Sequence, residues 1–494
     1  MPVNFVPSAA ELVRFLPEMI LTAMGTLLMV LTPLIHKRFS NAFGHIGLLS
    51  LAAALAAAVY ANGRPGTAFG GMLVVDGFAT FFRVLVMAVG LLTVLSSYRF
   101  LRRQGAEAGE YHALLLFSIA GQSLMAAAND LIVIFIALEI SSISSYVLAG
   151  YFRDDKRSNE ASLKYFLLGS FATAFFLYGV ALIYGSTGTV NLSAVRGVVG
   201  GITGPAPSPL FIAVAAALMF VGLGFKVSAA PFQIWAPDVY QGAPTPVTAF
   251  LSTGPKAAAF AIFLRIFMTA FEPIGAAWEP LVWISALASM TIGNFAALMQ
   301  PNVKRMLAYS SIAHAGYVLV ALTALSETGI AAAMFYLAAY AFMNLGAFAV
   351  VGHLSGQGER YQNVEDFAGL GRKQPATAAV LSIFLLSLIG VPLTGGFFGK
   401  FYIFKAALES HLVWLAVLGL LNSAVAAYYY LRLLVMMYFR EPGEAACEAE
   451  PLTLGLRLSL GVAALATLFL GILPTWVLEF AGKASQSIYP YTFR

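Results

Sequence analysis

The chain has 494 residues, 60% of them hydrophobic and only 10% charged, with a mean hydropathy of +0.83. Soluble domains carry about 25% charged residues, so the composition excludes a soluble enzyme and describes an integral membrane protein. The net charge of +5 does not call for nucleic acid, because cytoplasmic loops of membrane proteins are enriched in Lys and Arg; the single cysteine, Cys447, excludes an internal disulfide and any cysteine-ligated zinc or iron–sulfur site.

Runs near 20 apolar residues are candidate membrane helices. Fourteen follow one another: 15–35, 43–61, 76–98, 112–128, 131–151, 161–184, 209–229, 245–269, 279–299, 305–325, 328–352, 377–406, 411–438 and 454–478. The first lacks a basic leader and a small-residue cleavage site, so it reads as a retained helix. The expected class is an all-α membrane protein of about 14 transmembrane helices. Loops after odd-numbered helices hold 15 basic residues, among them Lys37, Arg38, Arg103, Arg157, Lys304 and Arg372; the opposite side holds five, Arg14, Arg64, Arg196, Lys483 and Arg494. The positive-inside rule then puts both termini outside.

Two blocks of sequence look related. Ser141-Ser142-Ile143 with Tyr146-Val147-Leu148 is echoed by Ser310-Ser311-Ile312 with Tyr317-Val318-Leu319. Each block later reaches a helix cut by Gly and Pro: Gly222, Gly224 and Pro231 around Lys226, and Gly390, Pro392, Gly395, Gly396 and Gly399 before Lys400. Paired interruptions in two halves point to broken helices 7 and 12 around a midplane ion site. Five helices per block would invert the second copy. The expected organisation is helices 1–3 over 1–110, a first repeat of helices 4–8 over 111–270, a second inverted repeat of helices 9–13 over 271–440, and helix 14 over 441–494.

Charges inside these runs are the strongest functional signal, because one at mid-bilayer costs about 3 kcal/mol or more. Glu139 lies nine residues into helix 5, within an otherwise apolar run. Lys226 lies near the break of helix 7. Burial makes an ammonium release its proton more readily, and a nearby carboxylate makes it hold on. A Glu139–Lys226 contact near 4 Å, worth roughly 4 kcal/mol at an effective dielectric of 20, is therefore the expected switch. Lysine suits the task because its protonation responds to burial where arginine's does not. Lys256 follows Gly254-Pro255 on helix 8, and Lys400 ends Gly395-Gly-Phe-Phe-Gly-Lys400 on helix 12. Lys164, near the start of helix 6, is a relay or a snorkelling residue. His314, central on helix 10, is a relay or a packing histidine, with Ser310, Ser311, Tyr309 and Tyr317 as water partners. Arg83 and Asp76 on helix 3 are expected to pair structurally. Gly185-Ser-Thr-Gly188 follows a membrane helix rather than a strand and is no phosphate loop. No nucleophile triad, dinucleotide fingerprint or metal-ligand spacing of histidines is legible.

The stretch Phe225-Lys-Val-Ser-Ala-Ala-Pro-Phe-Gln-Ile-Trp-Ala-Pro-Asp-Val-Tyr-Gln-Gly-Ala-Pro-Thr-Pro-Val-Thr248 resembles the long signature of the antiporter-like membrane subunits of respiratory complex I. Asn129-Asp-Leu131 with Glu139, Lys304-Arg-Met-Leu-Ala-Tyr-Ser-Ser-Ile312 and Gly390-Val-Pro-Leu-Thr-Gly-Gly-Phe-Phe-Gly-Lys400 fit the same family, which also includes subunits of multisubunit sodium/proton antiporters and membrane-bound hydrogenases. Sibling subunits usually carry His-Ala-Ala-Thr after the Pro-Thr-Pro motif, where this chain has Leu251-Ser-Thr-Gly-Pro-Lys256. One sibling has glutamate in place of Lys400, and another continues into a long lateral helix. The resemblance implies two inverted five-helix repeats and a proton route along a hydrated axis. Glu139 and Lys226 match its charge pair, Lys256 its central lysine, and Lys400 the lysine of its second broken helix. Lys164 and His314 match positions usually charged or polar.

The resemblance also implies a proton-translocating subunit of an NADH–quinone oxidoreductase in a bacterial inner membrane, with both termini periplasmic. No cofactor is expected in this chain; flavin, iron–sulfur clusters and the NADH and quinone sites would belong to partner subunits. Expected partners are other membrane subunits, including a sibling antiporter-like subunit and small helical subunits, with lipid and protons but no nucleic acid. The alternatives are a cation/proton antiporter subunit and a scaffold whose buried charges only hold helices together.

Overall fold

The computed structural model describes residues 6–34, 40–106, 108–203, 207–443 and 451–488; Lys37, Arg38, Cys447 and Arg494 lie outside them. Each of the fourteen expected runs carries helix: Leu16–Leu31, Ser40–Asn62, Gly77–Arg103, Gly109–Ala127, Leu131–Ala149, Lys156–Thr187, Pro209–Val227 continued by Trp235–Gly242, Thr245–Leu251 continued by Gly254–Arg265, Gly275–Leu298, Val303–Thr323, Glu327–Leu354, Pro375–Ile389 continued by Gly395–Glu409, Val413–Phe439 and Leu454–Ile472. They are called helices 1 to 14 below. Among the described residues, eleven helices are long and apolar enough to cross a membrane, and helices 1 and 12 contribute shorter apolar segments. The protein is a multi-pass membrane protein.

The few departures from an all-helical chain are local. A two-stranded antiparallel ribbon, Gly66–Ala68 with Leu73–Val75, joins helices 2 and 3. Its turn runs through Phe69, Gly70 and Gly71, all at positive φ, where two glycines remove the Cβ clash. A short helix, Thr475–Ser485, follows helix 14.

Alternate loops meet on alternate sides. Arg103, ending helix 3, donates to the carbonyls of Gly352 and His353 at the end of helix 11, at 2.9 and 3.0 Å. Arg99 reaches the carbonyl of Pro451 before helix 14. On the other side, Arg14 donates to the carbonyls of Arg64 and Thr67, and Arg196 pairs with Glu272 at 3.2 Å. Odd-numbered exits thus associate with each other, and even-numbered exits likewise.

A set of contacts recurs at a constant spacing. Asp130 bridges Asn191 before helix 5, and Asn302 bridges Asn363 before helix 10; both members move by 172 residues. Asp130 caps helix 5 and Asn302 caps helix 10 through their side chains. Leu131 N–H donates to Val190 as Val303 N–H does to Gln362, at 2.9 and 2.7 Å. A methyl on Gly121 would sit 2.6 Å from the helix 5 backbone at Ala137 and Ser141, and one on Gly293 would meet helix 10 at Tyr309 and Ala313, again 172 residues on. The first bridge belongs to even-numbered exits and the second to odd-numbered ones, so the repeated contacts lie on opposite sides.

Three helices break. Helix 7 ends at Ser228, a non-glycine residue at φ +61°. Its freed groups find side chains: Trp235 Nε1 donates to the Phe225 carbonyl at 2.9 Å, the Ala230 N–H donates to Ser289 at 2.7 Å, and Ser285 donates to the Ala230 carbonyl at 2.5 Å. Helix 12 ends at Gly390, φ +95°, and resumes at Gly395. Helix 8 was expected to be continuous but is interrupted at Ser252 and Thr253. Pro255 supplies no N–H and disfavours helical geometry before it, which is the local reason.

Candidate proton-transfer axis

Lys226 ends the first segment of helix 7. Its Nζ donates to the Ser142 hydroxyl at 2.7 Å and the Tyr146 hydroxyl at 2.9 Å, and lies 5.2 Å from the centre of the Tyr146 ring. Both partners are on helix 5, one and two turns beyond Glu139. Among the described residues Glu139 makes no direct ion pair with Lys226; two hydroxyls hold the ammonium. Glu139 instead sits half-buried, with Oε1 buried and unpartnered. It is flanked by the exposed side chains of Ile136, Ile140 and Ile143.

A polar seam continues inward from Lys226. Ser142, Ser145, Ser141, Tyr165 and Pro255 line a cavity of about 20 Å³ with Lys226, which is room for a water, since one needs roughly 10–15 Å³. Ser118 of helix 4 lies 3.2 Å from both Ser141 and Ser145, and Gln122 donates to Ser118 at 3.0 Å. A methyl on Gly254, at the helix 8 break, would sit 2.7 Å from Gln122 Oε1. The seam therefore reaches the residue pair preceding Lys256.

Lys256 is 2% exposed. Its Nζ donates to the Ser311 carbonyl at 3.1 Å and to the Ser311 hydroxyl. His314, one turn along helix 10, joins the Tyr336 hydroxyl through Nδ1 and the Tyr430 hydroxyl through Nε2 at 3.1 Å. Tyr430 in turn meets Ser310. Tyr340 packs 5.1 Å from the His314 ring with its own hydroxyl buried and unpartnered.

Lys400 completes the file. Its Nζ donates to the Leu388 and Ile389 carbonyls at 3.0 and 2.8 Å, across the helix 12 break, and to Ser423 of helix 13 at 2.8 Å. It lies 4.9 Å from the centre of the Tyr317 ring, as Lys226 does over Tyr146. Tyr317 packs against His314 at 5.7 Å. Lys400 also lines a side crevice of about 630 Å³ with Phe397, Phe401, Phe404 and Lys405. The stranded carbonyls of a broken helix are thus satisfied by the lysine at helix 12, but by Trp235 and Ser285 at helix 7, where Ser289 accepts from the freed Ala230 N–H.

Lys164 stands apart from this file. It pairs with Glu160 and Asp238 at 2.7 Å each, its side chain 40% exposed. Arg305 takes the other oxygen of Asp238 at 2.7 Å. Glu160, Asp238 and Arg305 line, with Arg157 and Gln241, a cavity of about 200 Å³ at the short second segment of helix 7. Tyr165, next in sequence, turns inward, stacks on Trp235 at 4.4 Å and borders the Lys226 cavity.

Three expectations are corrected. Arg83 and Asp76 do not pair: Arg83 turns to Glu18 of helix 1 at 2.8 Å, while Asp76 caps helix 3 and binds Arg265 of helix 8 at 3.1 Å. Lys304 is no loop charge. It is fully buried, bonded to Glu359 at 2.9 Å and to the Ala243 carbonyl at 2.7 Å. Tyr309 is not on the axis but lies under Arg305, 5.8 Å from its guanidinium. Sequence reading also missed Ser118, Gln122, Ser145, Tyr336, Tyr340, Ser423 and Tyr430. The only signal for them is spacing: Ser118 with Gln122, and Ser141 with Ser145, lie four apart on apolar helices and so share a face.

Known proteins resemble this chain over most of its length. The family model for the NADH:quinone oxidoreductase/Mrp antiporter transmembrane region matches residues 128–426. The chain is 74% identical over 488 residues to NADH-quinone oxidoreductase subunit N 1 of Solibacter usitatus, covering 99% of this chain and 100% of that one. It is 50% identical to subunit N 2 of Koribacter versatilis, covering 98% and 99%. Among solved structures, a chain of respiratory complex I from Thermus thermophilus is 37% identical with a TM-score of 0.80, covering 94% of this chain and 99% of that one. A chain of the Mrp complex from Dietzia has a TM-score of 0.85 at 21% identity, covering 97% and 98%, a likeness of fold alone. The chain belongs to the NADH:quinone oxidoreductase/Mrp antiporter family of membrane proteins, and within it to the subunit N group.

Proposed function

We propose that this chain is the subunit N of a bacterial NADH–quinone oxidoreductase and moves protons along Lys226, Lys256, His314 and Lys400, driven by quinone reduction elsewhere in the complex. The observation that carries the reading is the file itself: three lysines in an apolar interior, each held by hydroxyls or carbonyls, joined by serines, tyrosines and one histidine. No scaffold needs ammonium groups strung this way, because a buried charge is costly even when paired. Glu139 acts one and two turns from the hydroxyls that hold Lys226, setting the field at the start of the file. Lys164, Asp238 and Arg305 form the charged vestibule on the cytoplasmic side. The contacts displaced by 172 residues support two inverted five-helix repeats, and the loop associations with the basic residues support both termini in the periplasm. Each charge moved against 100 mV costs about 2.3 kcal/mol, which the redox subunits supply. This chain's own role is transfer, with flavin, iron–sulfur clusters and the quinone site in its partners, among them a sibling antiporter-like subunit and small helical subunits. Sodium/proton exchange is the weaker reading, because the Mrp likeness rests on fold at low identity.

The test uses the assembled complex in liposomes, whose preparation should carry flavin and iron–sulfur signals. Lys226→Ala, Glu139→Ala and Lys256→Ala should each lower coupled quinone reduction and proton uptake while the complex still assembles. Full activity in all three overturns the assignment. Loss of assembly in all three instead favours a scaffold.

A further inference from the structure

Away from the lysine file, helices 1, 3 and 4 enclose a second charged site. Glu18 is 2% exposed and Arg83 is 0% exposed, with Arg83 Nη2 2.8 Å from Glu18 Oε1. Ser123 donates to the same oxygen at 2.5 Å. Beyond that contact the site is unfinished. Glu18 Oε2 and the Arg83 Nε and Nη1 nitrogens are buried without a hydrogen-bond partner among the described residues. A purely structural ion pair survives in an apolar interior only when its remaining donors and lone pairs are met, and a buried guanidinium offers five donors. Ordered water is the group able to meet them. By contrast, every charged atom of Lys304–Glu359 has a partner: Thr245 and Gln362 donate to the two carboxylate oxygens, and Lys304 donates to Glu359 and the Ala243 carbonyl.

The position ties this site to the file. Ser123 follows Gln122, whose amide ends the serine seam and abuts the helix 8 break before Lys256. Helix 4 therefore turns one polar residue toward the lysines and the next toward Glu18. Glu18 is the third residue of helix 1, Arg83 the seventh of helix 3, and Ser123 lies four residues before the end of helix 4. All three sit toward the side of the even-numbered exits. Arg83 is the charged group facing Glu18; helix 2, packed beside it, buries Ser50, Leu51, Ala54, Ala58 and Ala61, none of them ionisable.

We propose that Glu18, with Arg83 and Ser123, is a hydrated proton-holding site on a side branch of the lysine file. A proton arriving through the Ser123 hydroxyl and water binds a Glu18 carboxylate oxygen, Arg83 stays charged, and the pair passes from neutral to one positive charge. The proton returns by the same bonds or leaves toward the even-numbered exits. The branch rests on the file carrying protons, as proposed above.

The test is the complex in liposomes, read as protons taken up per quinone reduced, for wild type, Lys256→Ala, Glu18→Gln and Ser123→Ala. Glu18→Gln keeps the shape and removes the titrating group; it should lower the ratio to about half or below, since a positioned proton-transfer group contributes heavily to its step. Ser123→Ala leaves both charges in place and should lower the ratio less. An infrared carboxyl signal that follows quinone reduction in wild type should vanish in Glu18→Gln. If Lys256→Ala is impaired while both branch variants pump at the wild-type ratio, the Glu18 assignment is wrong and the file stands. If Lys256→Ala also pumps normally, the file reading fails. Should Glu18→Gln not assemble, Ser123→Ala decides alone.

Discussion

Lys226 and Tyr146 meet twice: the ammonium lies 2.9 Å from the hydroxyl and 5.2 Å from the ring centre. Lys400 repeats the ring contact over Tyr317 at 4.9 Å. At Lys226 the ammonium lies off the hydroxyl edge of Tyr146 and is held independently by Ser142 at 2.7 Å. Tyr146→Phe should therefore keep Lys226 in place but slow coupled turnover about tenfold, the effect of losing roughly 1.4 kcal/mol of a hydrogen bond to a charged group. Ser142→Ala combined with it should slow turnover further. Quinone reduction rates of the purified complex check both, and wild-type rates in the double variant would remove the hydroxyls from the pathway.

At the second broken helix the same ammonium serves structure as well as transfer. Lys400→Met strands the Leu388 and Ile389 carbonyls, and a buried acceptor left unpaired costs about 1–3 kcal/mol. The expected result is loss of pumping together with faster amide exchange across 386–394. Ser423→Ala should impair pumping without that local opening.

Lys304 and Glu359 are predicted to matter for stability and not for transfer. Lys304→Ala leaves a buried carboxylate unpaired, at a cost of about 3–5 kcal/mol, and should sharply reduce recovery of the complex. Lys304→Met with Glu359→Gln should restore much of that recovery. Native-gel yield and melting temperature are the measurements, and protons per quinone should stay at the wild-type value in whatever assembles.

Gly121 and Gly293 occupy matching places in two helix pairs. A methyl at either meets backbone atoms at 2.6 Å, which cannot give as a side chain end would. Gly121→Ala and Gly293→Ala should each destabilise by about 1–3 kcal/mol. The two effects should add, since the sites share no partner. Unfolding in detergent, followed by melting temperature, tests this.

Lys164 holds two carboxylates but does so in water's reach, where ion pairs are screened. Lys164→Gln should slow turnover only about twofold, and added salt should shrink even that difference. A collapse of pumping in this variant would move Lys164 into the file.

Much of the site was readable because each signal was local. An ammonium in an apolar run stands out at Lys226, Lys256 and Lys400, and Gly or Pro beside it marks a break in the helix. The helix 8 break was marked by Gly254-Pro255 yet missed, because the hydropathy there never falls. Lys304 was misread because a basic residue at a helix start next to Arg305 looks like any loop charge. Arg83 was matched to Asp76 because the two lie on one helix, whereas burial turned each toward a different neighbour.

The sequence by itself determined a chain that must live in lipid, where it crosses, which positions hold costly charge and where two helices must yield. These follow from the solvation of single residues and from what Gly and Pro do to their own backbone. Tertiary structure alone decided which group answers each charge: hydroxyls for Lys226, carbonyls for Lys400, a carboxylate for Lys304, and Glu18 for Arg83. The reason is that partners come from across a helix break or from helices tens to hundreds of residues away, and serines and tyrosines carry no mark in sequence until packing turns them toward an ammonium.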